Sequence, residues 1–318
     1  MCVHDRSFSP GGQSRASLLP SGLASGMLST LMIPPFTTML WRIPLLTAVG
    51  LTGILGVGMI LGLEKFALYV PDRPLRATPQ TEGLAYEEVW FSASDGVKLH
   101  GWLVPAPDAR ATVVWFHGNA GNIGDRVDNI GYLHRRLRVN VFIFDYRGYG
   151  RSDGSLSDLS EEATYRDGHG ALAYLRARPD LAHTRLVYFG RSLGAAIAVE
   201  LARTHPPAGL ILETAFTTLK DVARVHYPFV PLWFLRTKYE SLRKIPEIRV
   251  PVMIVHGDRD EIVPLDQAHR LYAAANEPKR LYIIRGAHHN DTYVAGGARY
   301  FEEWATFLES LEERPRGL

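Results

Sequence analysis

The chain predicts an α/β fold: a doubly wound, mostly parallel sheet over residues 84–312, with a short cap at 216–248 and a transmembrane helix ahead of it. Three observations carry the prediction. From Tyr86 onward, short β-branched and aromatic runs alternate with helical stretches, as a parallel sheet covered on both faces requires. Two of those runs pass directly into glycine-containing turns, at 117–122 and 190–194. Further upstream, Ile43 to Leu63 is uncharged and, at about 1.5 Å per residue, long enough to cross a bilayer as a helix.

Taken in order, residues 1–38 are rich in Ser, Gly and Pro and read as a disordered or misassigned extension. Met27 or Met39 is the expected initiator, because Met39-Leu40-Trp41-Arg42 makes a conventional n-region before the apolar run. Residues 39–64 are the expected anchor. Lys65-Phe66-Ala67-Leu68-Tyr69 offers no small-residue cleavage site, which favours a retained anchor over a removed signal peptide. Gly58 and Gly62 are spaced as G-x-x-x-G and offer a face for a homodimer through the anchor. Arg42 lies on one side of the run and Lys65, Arg73 and Arg76 on the other, so charge leaves the topology open. Residues 65–83, with prolines from Pro71 to Pro79, read as a stiff linker.

The domain then opens with an antiparallel pair, Tyr86–Phe91 and Lys98–Val104. Strands follow near 112–116, 140–144, 186–189, 209–212, 251–255 and 280–284, separated by helical stretches. There are no internal repeats.

Chemistry concentrates where strands end. Leu186-Val187-Tyr188-Phe189 runs into Gly190-Arg191-Ser192-Leu193-Gly194, and a helical stretch starts at Ala195. Strand, G-x-S-x-G and helix make the nucleophile elbow of the α/β-hydrolase fold, in which the serine hydroxyl stands above the strand ends. Its partners are sought downstream, acid before histidine. After the strand ending at His256-Gly257, the loop Asp258-Arg259-Asp260-Glu261 supplies three acids. Asp260 is preferred because Asp260-Glu261-Ile262-Val263-Pro264 places it at the loop apex. Asp258 is expected to tie the turn and Glu261 to be solvated, while Glu213, ending the strand Leu210–Leu212, is a rival acid. The histidine lies in Gly286-Ala287-His288-His289-Asn290-Asp291. Adjacent side chains cannot both face the serine, and the residues alone leave His288 and His289 open. A metal site on them is not expected, since neighbouring histidines rarely chelate one ion.

The oxyanion donors expected are the backbone N–H groups of Leu193 and Asn119, with Ala120 as the alternative to Asn119. Asn119 follows the strand Ala111–Phe116 in His117-Gly118-Asn119-Ala120-Gly121-Asn122, where glycine allows close approach of the backbone. Asn122 is expected to cap the next helix.

Five motifs now stand in order: His117–Asn122, Asp145-Tyr146-Arg147-Gly148-Tyr149-Gly150-Arg151-Ser152, Gly190–Gly194, Asp260 with Val263-Pro264, and His289-Asn290-Asp291-Thr292. Over residues 84 to 310 the series resembles the Bem46-like branch of the α/β-hydrolases, which includes eukaryotic proteins of the ABHD type. The resemblance implies that the histidine of His289-Asn290-Asp291-Thr292 is catalytic, and it favours Asp260 as the acid. It implies no single substrate, since some members remove acyl chains from proteins and many have no assigned activity. One departure is that Ala287-His288 stands where a single residue is expected before the catalytic histidine.

Gly148-Tyr149-Gly150-Arg151-Ser152 lacks the spacing of a nucleotide loop, and no cofactor is implied. Asp145 and Arg147 are instead expected to brace the loop that walls the site. A formal net charge of +2 without a basic cluster argues against nucleic acid. The single cysteine, Cys2, excludes an intrachain disulfide.

Residues 216–248 exceed an ordinary crossover and carry Val225-His226-Tyr227-Pro228-Phe229-Val230-Pro231-Leu232-Trp233-Phe234. Two readings compete: a kinked crossover helix that buries its aromatics against the sheet, or an apolar cap whose Tyr227, Phe229, Trp233 and Phe234 bind an acyl chain. The expected function is a membrane-anchored serine hydrolase for esters or thioesters. An aminopeptidase is the rival enzyme, though it needs acidic groups where 216–248 carries mainly Arg and Lys. A catalytically silent scaffold is the rival from another class.

Overall fold

The computed structural model describes residues 64–313 apart from 230 and 231. The expected extension, the apolar run 43–63 and its Gly58–Gly62 pair therefore lie outside the described residues. Among the described residues, no helix is long and apolar enough to cross a membrane.

Residues 64–68 form a helical turn, α1, followed by the two-residue strand β1 (Val70–Pro71). The antiparallel opening is β2 (Glu87–Ser92) and β3 (Lys98–Val104), joined in register from Glu87↔Leu103 to Ser92↔Lys98. Then come β4 (Ala111–Phe116), the short β5 (Ala120–Gly121), α2 (Val127–Leu137) and β6 (Asn140–Phe144). They are followed by α3 (Glu161–Arg176), β7 (Arg185–Arg191), α4 (Leu193–Thr204) and β8 (Gly209–Glu213). The chain closes with α5 (Leu219–His226), α6 (Ser241–Lys244), β9 (Val252–Gly257), α7 (Leu265–Ala274), β10 (Lys279–Ile284) and α8 (Thr292–Glu312).

Eight strands make one sheet in the order β10-β9-β8-β7-β4-β6-β3-β2, parallel from β10 to β6 and antiparallel beyond. The central strands are apolar throughout because both faces are covered. Along β4, Val114 and Phe116 point to one layer, with Tyr188, Ile197 and Leu201. Val113 and Trp115 point to the other, with Leu133, Trp304 and Phe307. The sheet is wound outward from β4, which lies between β6 and β7, so the loops after β4 and β7 diverge at a switch point and form a crevice.

The stretch read as a stiff linker is laid against the domain over its described residues. Tyr69 is buried, with its hydroxyl 2.9 Å from that of Tyr239. β1 pairs in parallel with β5, and Asn122 Nδ2 donates to the carbonyls of Asp72 and Pro74. A buried aromatic and a strand pair outweigh the chain entropy that a linker would keep.

Segment 216–248 matches neither sequence reading in its aromatics. α5 is capped by the Thr218 hydroxyl, which accepts from Asp221 N, and it ends just before Pro228. Beyond it Tyr227, Phe229 and Trp233 face outward, the last two 97% and 84% exposed. The Phe234 side chain lies outside the described set.

Candidate active site

Ser192 is the single residue between β7 and α4. Its φ of 52° and ψ of −115° are strained for an L-residue, and the neighbours explain how they are held. A Cβ on Gly190 would lie 2.5 Å from the Ala195 Cα, and one on Gly194 would lie 1.9 Å from the Phe116 carbonyl. Only glycine permits either approach, so the helix start presses directly on β4. The Ser192 amide donates to the Glu213 carbonyl at 2.9 Å, fixing the turn to β8.

The structure brings Ser192, His289 and Asp260 into one hydrogen-bonded chain. The Ser192 hydroxyl donates to His289 Nε2 at 3.0 Å, and His289 Nδ1 donates to Asp260 at 2.8 and 3.0 Å. A carboxylate facing Nδ1 requires the proton there, leaving Nε2 as the acceptor. Asp260 Oδ1 also accepts from the Ile262 and Val263 amides at 2.9 and 2.8 Å. Burial alone would raise the Asp260 carboxyl, but the His289 bond and charge and the Val263 amide outweigh it and hold it below its ordinary value.

The rival residues fall elsewhere. His288 points to solvent, with Nδ1 3.1 Å from the exposed Glu261 carboxylate. Asp258 accepts from the Gly286 amide at 2.6 Å, tying the β9 loop to the turn after β10. Glu213 is fully buried, accepting from Thr292 and Tyr300 hydroxyls at 2.7 Å each and lying 3.3 Å from Arg191 Nε. Arg191 in turn donates to the His289 carbonyl at 3.1 Å. Arg191, Glu213, Thr292 and Tyr300 thus fix the backbone of His289, a support that sequence reasoning missed. One signal was available: a charged residue between two glycines in a tight turn must find its counter-charge inside.

Leu193 is the first residue of α4, where a backbone N–H has no acceptor within the helix. Asn119 is pinned beside it: its carbonyl accepts from the Val70 amide at 3.1 Å and the Tyr149 hydroxyl at 2.7 Å, and its side chain donates to Leu68 O at 2.9 Å. Asn122 caps the turn 123–126 in a reciprocal box with Asp125. Behind this loop, Asp145 accepts from the Ile123 amide at 3.0 Å, and buried His117 lies 3.7 Å from Asp145 Oδ1. Burial first, and then the charge of Arg126, push the His117 pKa down to about 3. Arg147 forks onto Asp95 and Asp167, bracing the 147–154 loop.

Above Ser192 is a cleft of about 250 Å³. Its apolar lining includes Leu68, Phe216, Leu219, Val222, Ile262 and Val263, and its polar lining includes Asn119, Arg126, Arg191 and His289. The cap segment therefore contributes Phe216 from the loop before α5, and Leu219 and Val222, three apart on α5 itself. Tyr227, Phe229 and Trp233 do not line the cleft; they follow the end of α5 and are exposed.

Comparison with known proteins gives a consistent pattern. A family model described as serine aminopeptidase, S33 (Hydrolase_4) matches residues 107–243. The chain is 35% identical to the α/β-hydrolase domain-containing protein WAV2 of Arabidopsis thaliana, covering 82% of this chain and 91% of that protein. It is 31% identical to protein bem46 of Schizosaccharomyces pombe, covering 80% and 89%. Among solved structures, the Pyrococcus furiosus esterase Pf2001 superposes with a TM-score of 0.66 at 20% identity, covering 77% of this chain and 98% of that one. At that identity the likeness speaks for the fold.

Proposed function

Because this chain belongs to the Bem46/WAV2-like α/β-hydrolases, we propose that it is a serine hydrolase cleaving esters or thioesters by acyl transfer to water. The observation that carries the proposal is the chain Ser192–His289–Asp260, with contacts of 3.0 and 2.8 Å. His289 takes the Ser192 proton as the hydroxyl attacks the acyl carbonyl, and Asp260 stabilises the resulting imidazolium. The amides of Leu193 and Asn119 receive the developing oxyanion. The protonated His289 then gives its proton to the leaving alcohol or thiol. Water, activated by the same histidine, releases the acid and restores Ser192.

The acyl chain lies on Leu219, Val222 and Ile262 in this reading. The anchor at 39–64 keeps the enzyme at a bilayer, with Gly58 and Gly62 as the packing face between two copies. The outward aromatics Phe66, Tyr227, Phe229 and Trp233 support membrane proximity, because exposed apolar groups of this size mark contact surfaces. The matched family model's description raises a peptidase reading. The charged residues of the cleft, Arg126 and Arg191, have the wrong sign to hold a substrate ammonium.

Labelling with a fluorophosphonate tests the proposal. Wild type should react, and Ser192→Ala and His289→Ala should not. A folded wild type that stays unlabelled and turns over no ester would leave a non-catalytic scaffold as the better reading.

A further inference from the structure

Two guanidinium groups line the cleft beside Ser192, and their surroundings differ. Arg191 is compensated by Glu213 at 3.3 Å and is spent on holding the His289 carbonyl. Arg126 has no carboxylate within 4.0 Å among the described residues. Its Nη2 and Nη1 donate to the carbonyls of Ala120 and Asp125 at 2.5 and 3.5 Å, and its buried Nε has no partner. Both acids nearest in sequence are engaged elsewhere: Asp125 accepts from the Asn122 amide, and Asp128 from the Tyr293 hydroxyl and the Asn129 amide. Arg126 also occupies the N-cap position of α2, which has no side-chain cap. Burial first and then the charge of Arg191 disfavour its protonated form, and the more distant charges of Asp125, Asp145 and Asp128 offset this only in part.

A partly buried cation with no paired carboxylate is costly to hold, and an anion entering the cleft offsets that cost. The same cleft is lined by Leu219, Val222 and Ile262, so it offers apolar surface as well as the cation. We propose that Arg126 receives an anionic group of the substrate, a phosphate or carboxylate carried close to the scissile acyl bond, while the hydrocarbon lies on Leu219, Val222 and Ile262. This rests on the serine-hydrolase reading and narrows it to anionic amphiphilic acyl compounds. The planar guanidinium, held at both ends by carbonyls, is already oriented for a forked contact with such an oxyanion.

The test compares matched substrate pairs in wild type, Arg126→Gln and Arg126→Lys. Octanoyl glycerol phosphate against octanoyl glycerol places the anion on the alcohol. Monooctyl succinate against octyl butyrate places it on the acyl group. In one pair, Arg126→Gln should lower the anionic-to-neutral ratio of kcat/KM about 30-fold, which corresponds to about 2 kcal/mol. Arg126→Lys should keep part of the ratio. If Arg126→Gln lowers both members of each pair alike, Arg126 only braces the 120–126 turn, and the inference falls. Calorimetry with octyl phosphate and octanol on Ser192→Ala, with and without Arg126→Gln, reads the same preference without turnover. A Kd for octyl phosphate that Arg126→Gln leaves unchanged would overturn the inference even if the enzyme proves to be an esterase. Failure of all esters and of fluorophosphonate labelling would instead fault the hydrolase reading, with calorimetry still deciding the role of Arg126.

Discussion

Asp260→Asn is the most exacting test of the site, because the structure dictates which way the new amide must face. Asp260 Oδ1 accepts two backbone N–H groups, from Ile262 at 2.9 Å and Val263 at 2.8 Å. An asparagine must keep its carbonyl there, since its NH₂ in that place would oppose two donors. The NH₂ therefore takes the position of Oδ2, 2.8 Å from His289 Nδ1. Two N–H groups cannot face each other at that distance, so the imidazole shifts its proton to Nε2. Nε2–H then points at the Ser192 hydroxyl 3.0 Å away, and the general base is gone. By this tautomer argument kcat/KM at neutral pH should fall about 10³- to 10⁴-fold. At about 1.36 kcal/mol per tenfold, that is about 4–5 kcal/mol on the barrier. The assay is hydrolysis of a short-chain p-nitrophenyl ester alongside the rate of fluorophosphonate inactivation, with the melting temperature as the fold control. A folded Asp260→Asn enzyme retaining a tenth of wild-type kcat/KM would refute the reasoning and return Glu213 to contention as the acid.

Other consequences follow from the same geometry. His288→Ala should label with fluorophosphonate at the wild-type rate, because its imidazole is half exposed and hydrogen-bonds to Glu261 and not to Ser192 or Asp260; loss of labelling would mean that the two histidines exchange roles. Gly194→Ala should cost about 3 kcal/mol of stability, measured by urea unfolding, since its Cβ would overlap the Phe116 carbonyl. The double change Phe229→Ala, Trp233→Ala should weaken binding of the full chain to phospholipid vesicles at least tenfold, about 1.4 kcal/mol, while kcat/KM on acetyl esters holds; unchanged vesicle binding would count against a membrane-facing role. The Arg147 hydrogen bond lowers the Asp95 pKa from 3.8 to about 2, so Asp95 contributes stability above pH 3.8 that is lost as pH falls through 2. Asp95→Asn should flatten that acid limb of the urea midpoint, and an unaltered limb would place the acid sensitivity elsewhere.

Each expected strand from 86–91 to 280–284 has a counterpart in the sheet within a few residues. The central runs were legible because a strand covered on both faces must be apolar along its whole length. The position of Ser192 was legible for a related reason, namely that close backbone approach demands glycine at Gly190 and Gly194. Both signals are local: the residue that reports the constraint is the one that suffers it. The failures are of the opposite kind. Proline spacing at 71–79 reports a stiff chain but not that Tyr69 just upstream meets Tyr239 far along the sequence. The aromatics of 227–234 report a drive to be buried without naming the partner, and the domain itself does not bury Phe229 or Trp233. Arg191 and Arg126 make the sharpest case. Both are arginines beside glycine-containing turns at the end of a central strand, and composition cannot distinguish them. Only the folded chain shows that β8 carries Glu213 to the first, while among the described residues no carboxylate reaches the second. Charge compensation is a non-local property. A cation left without a paired carboxylate in the cleft that Ser192 lines is therefore a signal that has to be read from structure.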